Sequence, residues 1–137
     1  MNAVFADTFY WIALISPGDR HSQEVLRFDD LLSGGNVYTT EEVLVEVLTF
    51  LAADGWLRKR AVETVREILS DPAVHIIPQS HDSFIAGFDL YAARPDKRYS
   101  LTDCISMQTM RKEGLTEVLT NDRHFEQEGF RALFRDS

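Results

Sequence analysis

Apolar residues along the chain alternate between short unbroken runs and stripes of helical spacing, with turn residues between them. Ala3 to Ala6 is an unbroken run closed by Asp7, the pattern of a strand buried on both faces. Phe9 to Ser16 continues as a helical turn or two until Pro17-Gly18 breaks it. Asp19 then caps a predicted helix to about Leu32, with Val25, Phe28, Leu31 and Leu32 as its apolar positions. Ser33-Gly34-Gly35-Asn36 forces a turn, and Val37 and Tyr38 make a brief second strand. Thr39-Thr40-Glu41-Glu42 has the spacing of a capping box, opening a helix to about Ala53 on the stripe Val43, Leu44, Val47, Leu48 and Leu51. At about 100° per residue Glu46 lies about 60° beyond Val43, so it borders the buried face.

The second half repeats the alternation. Asp54-Gly55 ends one helix, and Trp56 to Leu69 reads as the next, stopped by Asp71-Pro72. Val74, Ile76 and Ile77 form a third strand before Pro78, and Ser80 begins a helix through Phe84, Ile85, Phe88 and Leu90. A polar loop, Arg94 to Tyr99, leads to Ser100-Leu101-Thr102-Asp103, which again has capping-box spacing. This helix runs to about Glu113, with Gly114 just past its end. Val118-Leu119-Thr120 is a short fourth strand ending at Asn121-Asp122. A helical turn through Phe125 and an apolar stretch from Phe130 to Phe134 follow. Strands alternating with helices predict a parallel sheet in an α/β sandwich.

Composition narrows the class. A chain of 137 residues fits one domain, residues 1–137, against a prior of about 150 per domain. The 45% apolar content with nine Phe excludes a disordered acidic chain despite a net charge of −8. The longest apolar run, Phe9 to Ile15, is far short of the roughly 20 residues a spanning helix needs, so no membrane segment is expected. No basic residue precedes Arg20, which argues against a secretory signal, and the lone Cys104 fits a reducing compartment; a cytoplasmic protein is expected. The bases cluster at Arg58, Lys59, Arg60 and Arg66, then at Arg94, Lys97, Arg98, Arg111 and Lys112. An acidic protein is a poor general binder of nucleic acid, so any such contact must be local or mediated by a cation.

Four carboxylates stand at element edges: Asp7 after the first strand, Glu46 beside a helix face, Asp103 at a helix start and Asp122 after the fourth strand. In an open α/β sheet, ligands bind beyond the carboxyl ends of the strands, where Asp7 and Asp122 would both point. Carboxylates that converge repel one another, so they take up protons or a cation neutralises them. A set of oxygens suits Mg²⁺ or Mn²⁺, and such a site serves phosphodiester hydrolysis by an activated water. Each acid also has a plain structural role available. Asp103 can complete a capping box with Ser100, Asp122 can cap a turn, Glu46 can be a half-exposed glutamate, and Glu42 resembles an ordinary capping residue. Burying Asp7 unpaired would be costly, which makes it the hardest to explain structurally. The hydroxyls of Thr8, Ser100, Thr102 and Thr120 are placed to orient carboxylates. His124 reads as a histidine hydrogen-bonded near the surface, and Cys104 as a small buried apolar residue. No Gly-rich phosphate loop is present, and Phe9 stands where an aspartyl phosphatase would place its second acid.

At these residues the chain resembles the PIN-domain family. The resemblance lies in VFADTFYWIAL around Asp7, TTEEVLVEVLTFL around Glu46, YSLTDCISMQTM around Asp103 and VLTNDRHF around Asp122, and it spans nearly the whole chain. It implies a three-layer α/β/α sandwich with a short central parallel sheet of four to five strands. It also implies a Mg²⁺- or Mn²⁺-dependent endoribonuclease with Asp7, Glu46, Asp103 and Asp122 as catalytic and metal-holding acids. Thr8, Ser100 and Thr120 would support them, and Arg123 would contact phosphate. Many small members are VapC-like toxins that form homodimers and are held inactive by an antitoxin whose basic tail enters the acidic pocket. Stand-alone RNA-processing nucleases and noncatalytic RNA-binding or scaffold modules are the other functions expected of such a chain.

Overall fold

Five short parallel strands form one sheet in the order β3-β2-β1-β4-β5 in a computed structural model that describes residues 3–32 and 35–135. The strands are β1 (Val4–Ala6), β2 (Val37–Thr40), β3 (Val74–Ile77), β4 (Glu117–Leu119) and β5 (Arg131–Ala132). β1 lies in the middle, with Phe5 opposite Tyr38 of β2 on one side and Val118 of β4 on the other. Val4, Phe5 and Ala6 are all buried, which explains the unbroken apolar run: a central parallel strand covered on both faces has no polar side.

The helices between β1 and β2 are α1 (Thr8–Ile15) and α2 (Ser22–Leu31). Those between β2 and β3 are α3 (Glu41–Phe50) and α4 (Gly55–Ser70). α5 (His81–Ala93) and α6 (Leu101–Glu113) precede β4, and the short α7 (Arg123–Gln127) leads to β5. Together they make the three-layer α/β/α sandwich. From β1 the chain moves outward through β2 to β3, then crosses back to place β4 on the other side of β1. The direction of winding therefore reverses between β1 and β4, and the crevice at their carboxyl ends is where such sheets bind ligands.

Several predicted boundaries move. The Thr39-Thr40-Glu41-Glu42 box does not form, because pairing of Thr39 with Ile76 and of Thr40 with Ile77 extends β2 to Thr40. Thr40 alone caps α3, accepting from the Val43 amide at 3.1 Å, while Glu42 accepts from the Ser83 hydroxyl at 3.3 Å. The buried Thr39 hydroxyl donates to the Ala6 carbonyl. α3 ends at Phe50 rather than Ala53, and Asp54 caps α4 through the Trp56 and Leu57 amides. Asp19 accepts from the His21 amide in the turn before α2 instead of capping that helix. The stretch from Phe130 to Phe134 contains β5, whose two residues are too few to show any period. Ser33 and Gly34 of the predicted turn lie outside the described residues.

The box at Ser100 does form: its hydroxyl accepts from the Asp103 amide, and the Asp103 carboxylate accepts from the Ser100 amide. Gly114, with φ of 70°, ends α6 in the left-handed conformation that an L side chain resists.

Candidate active site

Asp7 ends β1 at the point of reversal, and the sheet buries it, leaving 5% of the residue exposed. Its Oδ2 accepts from the Thr120 hydroxyl at 2.9 Å, whereas its Oδ1 is buried and has no hydrogen-bond partner. The same Thr120 oxygen accepts from the Asp122 amide at 3.2 Å, so one threonine after β4 sets the positions of two acids. Glu46 reaches the crevice from α3, where its Oε1 accepts from the Thr8 hydroxyl at 2.6 Å. Asp103 arrives from the first turn of α6. Its capping role uses Oδ2 toward the Ser100 amide, so one carboxylate both caps the helix and lines the crevice. Ser100 thus holds Asp103 through its backbone amide, while its hydroxyl serves the helix.

Asp122 caps α7 by accepting from the His124 amide, and the His124 ring folds back over the acids. Its Nδ1 lies 3.2 Å from Asp122 Oδ1 and 4.0 Å from Asp103 Oδ2, yet it is buried without a hydrogen bond. Asp103, Asp122 and His124 offer ligand atoms that all lie within 4.8 Å of one another. His124 therefore belongs to the crevice and not to a surface network. The signal for it was its place two residues after Asp122 in the TNDRHF segment, since a one-turn helix brings that residue back beside its own cap.

The charges act on one another. Burial, then the Asp103 charge and to a smaller extent the Glu46 charge, pushes the Asp7 carboxyl up to about 7 against the lowering effect of Thr8 and Thr120. Burial, helped by the charges of Asp122 and Glu46, pushes Asp103 to about 6. The Glu46 charge acts on both. Arg123 is exposed on α7, with no hydrogen bond or ion pair among the described residues. Cys104 is fully buried, and burial raises its thiol to about 11, so it stays protonated beside the acids.

This arrangement fits a divalent cation. Three buried side-chain polar atoms lack a hydrogen-bond partner among the described residues; His124 Nδ1 belongs to the group of close ligand atoms, and Asp7 Oδ1, which is not in that group, feels the charges of Asp103 and Glu46. An unsatisfied carboxylate oxygen surrounded by other acids is costly unless protonated or bound to a cation. The donors are mainly carboxylate oxygens with one imidazole nitrogen, so the set is not the purely oxygen one expected from the four acids.

A parallel sheet with acids gathered near its reversal point defines an α/β protein with an acidic cluster at the carboxyl ends of its strands. The PIN domain family model matches residues 4–130. The chain belongs to the PIN domain family. A VapC ribonuclease of Aquifex aeolicus is 25% identical over 130 residues, covering 93% of each chain. The crystal structure of Mycobacterium tuberculosis VapC20, a sarcin-ricin loop cleaving toxin, superposes with a TM-score of 0.80 at 25% identity, over 93% of this chain and 95% of that one. A chain of DNA-bound VapBC from Salmonella typhimurium shares the fold at a TM-score of 0.67 and 20% identity, over 96% of this chain and 97% of that one. No helix among the described residues is long and apolar enough to cross a membrane.

Proposed function

We propose that this chain is a divalent-metal-dependent endoribonuclease acting as a single domain in the cytoplasm, the toxin of a toxin–antitoxin pair. The observation that carries the reading is the orphaned Asp7 Oδ1, buried at the reversal of the sheet among acids that raise its pKa. Asp7, Asp103 and Asp122 would hold Mg²⁺ or Mn²⁺, with His124 beside the last two. A cation bound there supplies charge neutralisation at the phosphate and makes water a competent nucleophile near neutral pH.

The remaining work falls to the chain. Thr120 keeps Asp7 and Asp122 in fixed relation, so neither carboxylate must reorganise when phosphate arrives. Thr8 holds Glu46 with one oxygen engaged and the other left to bind the cation or position a water. Ser100 fixes Asp103 on the rigid start of α6. Arg123, exposed beside Asp122, would contact a phosphate of the RNA.

The VapC ribonuclease of Aquifex aeolicus and VapC20 support RNA as the substrate. The VapBC complex supports an antitoxin partner, and a basic antitoxin tail complements both the net charge of −8 and the pocket. A homodimer accompanies this reading.

The test is incubation of purified protein with labelled RNA and Mn²⁺, with and without EDTA, beside Asp7→Asn. Metal-dependent cleavage that disappears in the variant is expected. Equal cleavage in the variant would overturn the assignment, and RNA retention with no cleavage would indicate a noncatalytic binding module.

A further inference from the structure

The loop between α5 and α6 carries a basic cavity that none of the roles above uses. Tyr91, Arg94, Pro95, Lys97, Arg98 and Tyr99 line a space of about 270 Å³. The loop is held in place from beneath. Arg94 makes two bonds to the Glu128 carboxylate, at 2.8 and 3.3 Å, and Arg111 and the Tyr99 hydroxyl each bond it at 2.9 Å. The Glu128 side chain is only 5% exposed, so this cluster is a structural anchor and Arg94 is already neutralised.

Two cations remain for a ligand. Arg98 is exposed and has no hydrogen bond or ion pair among the described residues. Lys97 has only a loose contact with the exposed Asp96, at 3.9 Å. Tyr91, 51% exposed on the last turns of α5, adds an aromatic face to the same cavity.

Tyr99 joins this cavity to the acidic crevice. It lines the cavity, and its ring packs edge-on against the His124 ring at 5.3 Å. The next residue, Ser100, caps the helix that presents Asp103. Through Tyr99, the cavity that carries the cations and the Tyr91 ring adjoins the His124 side of the acids.

Resting on the ribonuclease reading, the geometry points to this cavity as a subsite for single-stranded RNA, with Lys97 and Arg98 binding a phosphate beside the cleaved bond and Tyr91 stacking on its base. For a chain of net charge −8, binding of a polyanion depends on such a local cationic surface. A phosphate together with a flat base satisfies both the cations and the aromatic face, which an acidic peptide would do only in part.

Two measurements test it. Lys97→Ala/Arg98→Ala is compared with Lys59→Ala, a control on α4 outside both the cavity and the acids. Anisotropy with a labelled single-stranded RNA in EDTA reads binding without cleavage. The double variant should bind about tenfold more weakly, with a slope of log affinity against log salt shallower by about 0.7 for the one phosphate no longer neutralised. In Mn²⁺ the double variant should raise KM with kcat unchanged, since these contacts lie away from the reacting bond. A dinucleotide substrate, too short to span both places, should not distinguish it from the parent. Binding and salt slope equal to the parent's would overturn the subsite while leaving the nuclease intact. Failure of the parent chain to cleave RNA in Mn²⁺ would overturn the ribonuclease reading, and the anisotropy result would still decide whether the cavity binds RNA.

Discussion

Asp7 is a buried carboxyl supported by the Thr120 hydroxyl and the Thr8 backbone amide and raised by burial, so its protonation is tied to folding. Its ordinary value is 3.8 and burial with neighbouring charge raises it to about 7; Asp103 moves the same way, to about 6. Between those limits the folded protein holds more protons than the unfolded chain, so stability falls as pH rises. Glu128 is the opposite case. Burial alone would raise it, but hydrogen bonds from Arg94, Arg111 and Tyr99 hold it down to about 2, so its contribution is lost only as pH falls below the ordinary 4.5. Thermal unfolding without metal should therefore show greatest stability near pH 4 and a decline from there that levels off above about pH 7 to 8. A flat profile across that range would contradict the burial of ionised Asp7. Asp7→Asn removes the charge and should flatten the decline. At pH 8 in EDTA it should be more stable than the parent by an amount on the order of 2 kcal/mol, measured by urea unfolding, while losing cleavage.

Helices α5 and α6 depend on a missing side chain. A Cβ at Gly87 would lie 2.3 Å from Ile105 Cγ1 and 3.0 and 3.1 Å from the Ile105 backbone nitrogen and Cα. The side-chain atom can turn aside, but the backbone of α6 cannot move without displacing Asp103 two residues before it. Gly87→Ala should cost about 1 to 3 kcal/mol in urea unfolding despite the better helix propensity of alanine. It should also lower cleavage at temperatures where the variant remains folded. Elements of this kind were legible where capping chemistry stands in sequence, as at Ser100, Asp103 and Gly114. They were less legible at Thr39, the expected start of the box, which pairs with β3 instead and leaves the cap to Thr40, because strand pairing outweighs a local capping preference there. The two-residue β5 left no pattern either, since it exists only by pairing with β4.

At the scale of the whole molecule, the proposed cation would couple to folding through the acids that hold it. A cation that binds only the folded chain adds about 2.7 kcal/mol at a hundredfold excess over Kd, which for a chain of this size raises Tm by roughly 8 °C. Mn²⁺ should produce a rise of that order in the parent, EDTA should reverse it, and Asp7→Asn should show little of it; equal shifts in both proteins would place the cation elsewhere. The sequence by itself determined the alternation of strand and helix and the burial of the first strand, because apolar periodicity and caps are local properties of the chain. Tertiary structure decided what the acids do together. Asp7 and Thr120 are 113 positions apart and Thr8 and Glu46 are 38 apart, and only the return of β4 beside β1 and the packing of α3 bring them into contact. It also drew His124 into the crevice, since a lone histidine gains meaning only from the groups the fold sets around its ring.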